Sequence, residues 1–375
     1  MSGIYIHIPF CSKACVYCDF HFSTSLSKKK EVMDAICKEI ELQKHYLEDK
    51  NINSIYFGGG TPSLMNSEEW EPVFEAIDIH FDISRDAEIT LEANPDDLTK
   101  GKLKQLYSSP FNRLSIGVQS FDEEDLQFMN RSHNALQAKQ CIEEAHHVGF
   151  DNLTIDLIYG MPGRSEEHWE KQLMQALEFD LPHISAYALT VEKETVLENW
   201  IKKGKVQPVD EVLAERNYYF LGKILERAGY EHYEVSNFAK PGMRAKHNSA
   251  YWQGVPYLGL GPSAHSFNGD SRQWNVSNNH LYVKAIQEDD VPMEKETLSV
   301  ADRFNEMVMT SLRRCEGIDL NKVDHDFGAD FTEHLFEEAK LMMKSGKLVH
   351  ENRHLFIPDI HRFFSDGIAS SLFYI

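Results

Sequence analysis

Apolar residues along this chain change their spacing repeatedly, and each change marks an element. Ile4, Ile6 and Ile8 alternate with other residues, the period-two pattern of a strand with one buried face. Val32, Ile36, Ile40 and Leu47 then fall near one face of a helix. Residues 53–57 read as a short apolar strand that ends in Gly58-Gly59-Gly60. Ser67 has the chemistry of an N-cap, with Glu68 and Glu69 in the first turn and Trp70, Val73, Phe74 and Ile77 as the buried stripe. Further strands are predicted at 87–93, 113–119, 152–159 and 183–189. Helical patterns separate them, for instance Ala138, Cys141, Ile142 and Ala145, or Trp169, Leu173, Ala176 and Leu177.

Six strands, each followed by a helix, predict an α/β fold with a parallel sheet whose functional loops gather at the carboxyl ends of the strands. The helical stretch 209–228 completes the sixth unit; periodicity does not decide whether six units close a barrel. The rhythm then fails, because 230–269 is rich in Gly, Pro, His and aromatic residues. From about Leu298 helices are predicted at 303–313 and 331–345, and 347–357 reads as a hairpin wing turning at Glu351-Asn352-Arg353. The expected division is a core at 1–230, a connecting region at 231–297 and a small C-terminal domain at 298–375.

A chain of 375 residues suits one large α/β barrel with an appendage, or two ordinary domains. Lysine plus arginine number 38 against 59 acidic residues, and the formal charge of −21 repels phosphate backbones and anionic membranes alike. No apolar run is long enough to span a bilayer, and no basic-then-apolar leader precedes the first strand. A cytoplasmic protein without an integral membrane segment or a nucleic-acid partner is therefore expected. Six cysteines are too sparse for a disulfide scaffold, and they are unevenly placed: Cys11, Cys15 and Cys18 sit together, while Cys37, Cys141 and Cys315 are scattered.

The triplet Cys11-x-x-x-Cys15-x-x-Cys18 directly follows the first strand. Three thiolates from one short loop can surround a soft metal centre, and thiolates are the usual ligands of iron–sulfur clusters. A four-iron cluster on three cysteines leaves one iron open to a small molecule. A structural zinc site is the alternative, and it needs a fourth ligand such as His7 or His21.

The run Tyr5-Ile-His-Ile-Pro-Phe-Cys11 with Cys15-Val-Tyr-Cys18 resembles the signature of radical S-adenosylmethionine (SAM) proteins. More narrowly it is similar to the family of oxygen-independent coproporphyrinogen III oxidase and the HemW-type haem chaperones. The resemblance implies a partial TIM-type (β/α)6 barrel with a small winged-helix-like C-terminal domain. It also implies a [4Fe–4S] cluster on Cys11, Cys15 and Cys18, whose open iron is chelated by SAM. By the same resemblance Tyr5, Tyr17, Gly59, Gly60, Thr61, Glu92, Gln119, Arg131 and Asp156 line the SAM region, and the loop Gly259-Leu-Gly-Pro-Ser-Ala-His265 brings His265 near it. Asp156 stands out on its own chemistry, since it interrupts an apolar strand and would be costly there without a partner.

Two features separate the branches. The dehydrogenase branch carries a further cysteine two positions after the third ligand, where this chain has Phe20, and a long extension before the cluster strand, where this chain has four residues before Tyr5. Lys246-His-Asn-Ser-Ala-Tyr-Trp252 resembles the His-Asn-x-x-Tyr-Trp motif of the chaperone branch, which implies His247 as a haem ligand with aromatic neighbours to pack on a porphyrin. Read without the family, His247 serves a loop hydrogen bond and Tyr251 and Trp252 serve a core. The expected function is a haem chaperone that binds cluster, SAM and haem and delivers haem to an acceptor protein. The alternative is a coproporphyrinogen III dehydrogenase that converts propionates to vinyl groups. The acidic stretches 319–330 and 333–338 make the C-terminal domain a substrate lid or partner surface rather than a reader of DNA grooves.

Overall fold

The computed structural model describes residues 2–375. Its first part alternates strand and helix. In chain order these are β1 (Ser2–Ile8), α1 (Lys29–Leu42), β2 (Asn51–Gly59), α2 (Ser67–His80), β3 (Asp82–Ala93), α3 (Lys100–Tyr107) and β4 (Arg113–Gln119). There follow α4 (Glu123–Phe128), α5 (Ala135–Val148), β5 (Leu153–Tyr159), α6 (Glu166–Glu178), β6 (His183–Ala188), α7 (Val196–Lys202) and α8 (Glu211–Arg227). Strands β1 to β6 pair in sequence order, every pair parallel. This is the α/β partial barrel expected.

The segment 231–297 extends the same sheet at both sides. It contains β7 (Glu231–Glu234), β8 (Asn237–Ala239), α9 (Lys246–Trp252), β9 (Tyr257–Leu260), β10 (His265–Phe267), β11 (Ser271–Asn275), α10 (Asn279–Gln287) and β12 (Met293–Thr297). β9 lies parallel to β1, while β8 lies antiparallel to β6. The two ends of the six-strand run therefore pair with other strands rather than with each other, and the barrel stays open.

Alternation along the strands gives the sheet two unlike faces. Ile4, Ile6, Ile55, Phe57, Leu91, Leu114, Ile116, Ile155, Leu157 and Ile184 form one apolar core with the outer helices. The inner face is polar and bonded across strands: Tyr56 donates to Glu92, Ser115 reaches Asp156, and Ser185 donates to Asn237.

The helix start expected at Ser67 lies one residue earlier. Asn66 is the extended residue before α2, and its amide donates to Glu69 Oε2 at 2.9 Å. Leu47 is buried with the α1 stripe but lies beyond that helix, which ends at Leu42.

The C-terminal part contains α11 (Val300–Leu312), β13 (Ile318–Asp319), α12 (Leu320–Asp326), α13 (Ala329–Lys344), β14 (Val349–Glu351), β15 (His354–Phe356) and α14 (Ser365–Ser370). It has its own core of Phe304, Val308, Leu312, Leu335, Leu355 and Leu372. The wing hairpin turns at Asn352 and Arg353, both left-handed with φ of 50° and 64°. Arg272 binds Glu306 at 2.6 and 2.8 Å and Arg313 stacks over Trp252 at 4.8 Å, so this part is docked on the barrel. Among the described residues no helix is long and apolar enough to cross a membrane.

Candidate cluster and cofactor site

The cysteine loop leaves β1 and is fastened at several points. Cys11 N donates to Ser23 O at 3.0 Å, Thr61 N to Phe10 O at 2.7 Å, and Gly60 N to Ile8 O at 2.9 Å. From the other side Val16 N donates to Met129 O at 3.2 Å and Asn130 Nδ2 to Ala14 O at 2.6 Å. Val16 is the apolar peg, buried with Leu126, Met129, Ile158, Met161, Leu189 and Leu197. Cys11, Cys15 and Cys18 are free thiols and half-buried.

Burial pushes the Cys18 thiol up to about 11 and raises that of Cys11, whose sulfur is also bonded by Thr61. A cationic metal centre reverses that preference and holds the thiolates. Arg131 is placed to help. Its guanidinium donates to Cys15 Sγ at 3.3 Å, to Asn94 Oδ1 at 2.6 Å and to Gly117 O at 2.8 Å.

The loop suits a multi-iron centre better than one zinc. Thiolates around a single tetrahedral zinc are about 3.8 Å apart. Among the described residues, the only trio of metal-binding side chains with ligand atoms all within 4.8 Å of one another is Asp122, Asp125 and His168. That trio is closed by Arg164, whose Nε lies 2.6 Å from Asp125. The histidines a zinc would need are also engaged: His7 Nε2 meets His21 O at 2.9 Å, and His21 Nε2 meets Asn279 Oδ1 at 2.7 Å.

Around the loop, at the carboxyl ends of β2 to β4, the structure brings together most of the residues expected there. Gly59 has φ of 102°, and a Cβ on it would stand 2.5 Å from the His7 ring. A Cβ on Gly60 would stand 2.6 Å from Phe10 O, so both glycines let β2 pass tightly under the cluster strand. Gly59 N donates to Glu92 Oε2 at 3.2 Å and Tyr56 Oη to Glu92 Oε1 at 2.8 Å. Burial nevertheless dominates, and the Glu92 carboxyl is pushed up to about 7.

Gln119 adopts a left-handed φ of 65°. Its amide and the Arg131 guanidinium both crowd Gly117, each 3.2 Å from where a Cβ would be. Tyr17 packs beside Cys15 and Arg131. Asp156 sits deeper, with Ser115 Oγ 3.5 Å from both its oxygens, and burial pushes its carboxyl up to about 6.

Tyr5 lies in the middle of the inner face. Its hydroxyl meets His7 Nδ1 at 3.2 Å, and its ring stacks on Tyr56 at 6.2 Å. His265 is exposed at the edge of this end, stacked on Trp274 at 6.0 Å, and its carbonyl stands 1.9 Å from where a Cβ on Gly259 would be. The adjoining turn is held by a residue that sequence reasoning missed. The buried Glu39 of α1 accepts from Gly261 N at 2.8 Å, Tyr282 Oη at 2.6 Å, Asn275 Nδ2 at 2.7 Å and Gln43 Nε2 at 2.7 Å.

His247 is elsewhere. It lies on α9 at the opposite, amino-terminal end of the strands, against Gly3 and Ser54. Its Nδ1 meets Ser54 Oγ at 2.9 Å, its amide donates to Glu88 Oε1 at 3.0 Å, and its ring stacks on Tyr56 at 5.1 Å. Burial pushes the imidazole down to about 4, so it is neutral at pH 7. The cavity beside it is about 10 Å³, room for one water and none for a porphyrin in this conformation. Tyr251 is exposed on α9, and Trp252 Nε1 donates to Asn248 Oδ1 at 3.0 Å.

The radical SAM superfamily pattern matches residues 5–174 and the HemN C-terminal domain pattern residues 298–360. The heme chaperone HemW of Lactococcus lactis is 35% identical, over 94% of this chain and 92% of its own length. The heme chaperone HemW of Bacillus subtilis is 34% identical, over 88% of this chain and 87% of its own. The chain belongs to the HemW family of radical SAM proteins. Coproporphyrinogen III oxidase (HemN) of Escherichia coli shares the fold, with a TM-score of 0.85 over 99% of this chain and 89% of that one at 23% identity. Membership of the radical SAM superfamily implies a [4Fe–4S] cluster and SAM, and the free-thiol loop with its adjoining arginine fits them.

Proposed function

We propose that this chain is a haem chaperone that carries a [4Fe–4S] cluster on Cys11, Cys15 and Cys18, binds SAM at the neighbouring strand ends, and passes haem to an acceptor protein. Near-full-length similarity to HemW haem chaperones carries the reading. The cluster supplies an open iron for SAM when bound. The protein's share is to place and enclose it. Gly59, Gly60 and Thr61 present backbone at close range, Glu92 and Asp156 offer carboxylates, and Arg131 offsets thiolate charge. Tyr5, Tyr17, Gln119 and His265 complete the proposed SAM surroundings.

For haem we assign His247. Ser54 holds Nδ1, which leaves Nε2 as the iron ligand, the usual arrangement of a ligating histidine fixed through its other nitrogen. The seven-residue α9 lies between Gly242 and Gly254, whose φ values of 79° and 70° are left-handed.

Haem titration of the anaerobically reconstituted protein tests this assignment. His247→Ala is expected to weaken binding at least tenfold and to change the Soret band, with the melting temperature within a few degrees of the parent. An unchanged affinity and spectrum would remove His247 from the site. Phe20, 66% exposed where the dehydrogenase branch carries cysteine, disfavours coproporphyrinogen turnover.

A further inference from the structure

Of the residues proposed to surround SAM, Gln119 is the non-glycine whose backbone is left-handed, with φ of 65° at the end of β4. Asn and Asp tolerate this conformation through short side chains that bond locally; glutamine lacks that device, so the turn costs free energy. It also breaks the register of β4 with β5 between Ile116 and Gln119. What the turn achieves is a side chain folded back over its own strand. The Gln119 amide nitrogen stands 3.2 Å from where a Cβ on Gly117 would be, and Arg131 Nη2 stands at the same distance from that point.

Strain of this kind persists only where the surroundings over-determine it. The two residues after Gln119 are gripped from α6. Ser120 Oγ stands 2.8 Å from Asp125 Oδ2 and 3.1 Å from Gln172 Oε1, and Phe121 N donates to that same Oε1 at 2.6 Å. Asp125, on α4, is 2% exposed and is bonded by Arg164 Nε at 2.6 Å and His168 Nε2 at 2.7 Å. His168 and Gln172 lie one turn apart on α6, so a single helix face reaches both Asp125 and the backbone at Phe121. Burying a carboxylate is costly, and here a guanidinium, an imidazole and a hydroxyl offset the cost.

We infer that Asp125 is a positioning residue for the SAM site. Through Ser120 it holds the Gln119 turn left-handed and so keeps the Gln119 amide over Gly117, beside Arg131. This rests on Gln119 belonging to the SAM surroundings, and goes beyond it in naming the group that fixes the geometry. Asp125 acts through another residue and touches no ligand. Because the turn is strained, stability and affinity part company at Gln119: glycine there relaxes the backbone while removing the amide.

SAM affinity is measured by equilibrium dialysis on the anaerobically reconstituted protein, and melting temperature on the cluster-free chain. Gln119→Gly should bind SAM at least tenfold more weakly yet melt no lower than the parent. Asp125→Ala should weaken SAM binding as much. Ser120→Ala, which cuts the link but leaves the carboxylate its guanidinium and imidazole, should weaken it about fivefold. In the Gln119→Gly background Asp125→Ala should cost no further affinity, because the turn it holds no longer carries a side chain. Leu335→Ala opens a cavity in the separate C-terminal core; it should lower the melting temperature and leave SAM affinity unchanged.

Losses that multiply in the double variant overturn the inference, as does parent-like affinity in Asp125→Ala and Ser120→Ala while Gln119→Gly is impaired. A lower melting temperature in Gln119→Gly shows that no strain is stored, and a loss of affinity in Leu335→Ala shows that affinity merely follows stability; either result also sinks it. Parent-like affinity in Gln119→Gly instead removes Gln119 from the SAM site, and the inference falls with that reading. Should Asp125→Ala fail to fold, Ser120→Ala alone and combined with Gln119→Gly decides.

Discussion

The two ends of the barrel are built by opposite strategies. At the carboxyl ends two loops hold groups that are neighbours in sequence, Cys11 to Cys18 in one and Gly59 to Thr61 in the other, each fastened by backbone bonds, with Glu92, Gln119, Arg131 and Asp156 added singly. At the floor Ser54, Glu88, Arg113, His183 and His247 come singly from β2, β3, β4, β6 and α9. The first end is closed around its loop; the second is capped by a helix of seven residues, held by two amide bonds to Glu88 and by side-chain bonds of Lys246, His247 and Asn248. The barrel separates them along its axis.

The comparison breaks if the ends depend on one another, and the sharpest test is at the cluster. Cys11→Ser is expected to lose nearly all cluster iron and sulfide after anaerobic reconstitution while haem affinity stays within about twofold. Loss of both would make the cluster a structural support for the floor.

A smaller effect concerns Glu92. Its folded value of about 7 lies above the ordinary 4.5, so the fold favours the protonated form. The stability this gives is present below about 4.5 and is lost as pH rises through 7, on the order of 3 kcal/mol. Glu92→Gln should therefore raise the melting temperature of the cluster-free chain more at pH 8 than at pH 5. An equal shift at both values would show that the carboxyl is not held protonated.

The least effect is expected from Tyr56→Phe. It keeps the ring on His247 but removes the bond to Glu92, worth about 1 kcal/mol. SAM affinity, followed by equilibrium dialysis, should fall roughly fivefold with haem affinity unchanged. An equal loss in both would mean that Tyr56 joins the two ends.

The same contrast explains what could be read from the sequence. The parallel strands were legible because their outward residues are uniformly apolar, and β4 was placed at its actual limits, Arg113 to Gln119. The cluster loop was legible because three cysteines at fixed spacing have few other uses. The floor was not, since Ser54, Glu88 and Arg113 are ordinary residues whose meaning comes from facing one another across strands. Their signal is the polar half of a period-two pattern, Ser54-x-Tyr56-x-Gly58 and Glu88-x-Thr90-x-Glu92, of which only Glu92 stands out in the sequence alone. The strand at 257–260 was hidden by its glycines, and Gly259 is required there because the His265 carbonyl occupies the place of a side chain.

The position of β1 has a consequence for the order of assembly. This strand pairs with β2 on one side and with β9 on the other, so Gly3 waits for Tyr257. β1 thus gains its second neighbour only after the intervening units have been made. α1 likewise cannot be tied to the Gly261 turn through Glu39 until that turn exists. The strand that carries the cysteine loop is therefore completed by a part of the chain far from it in sequence.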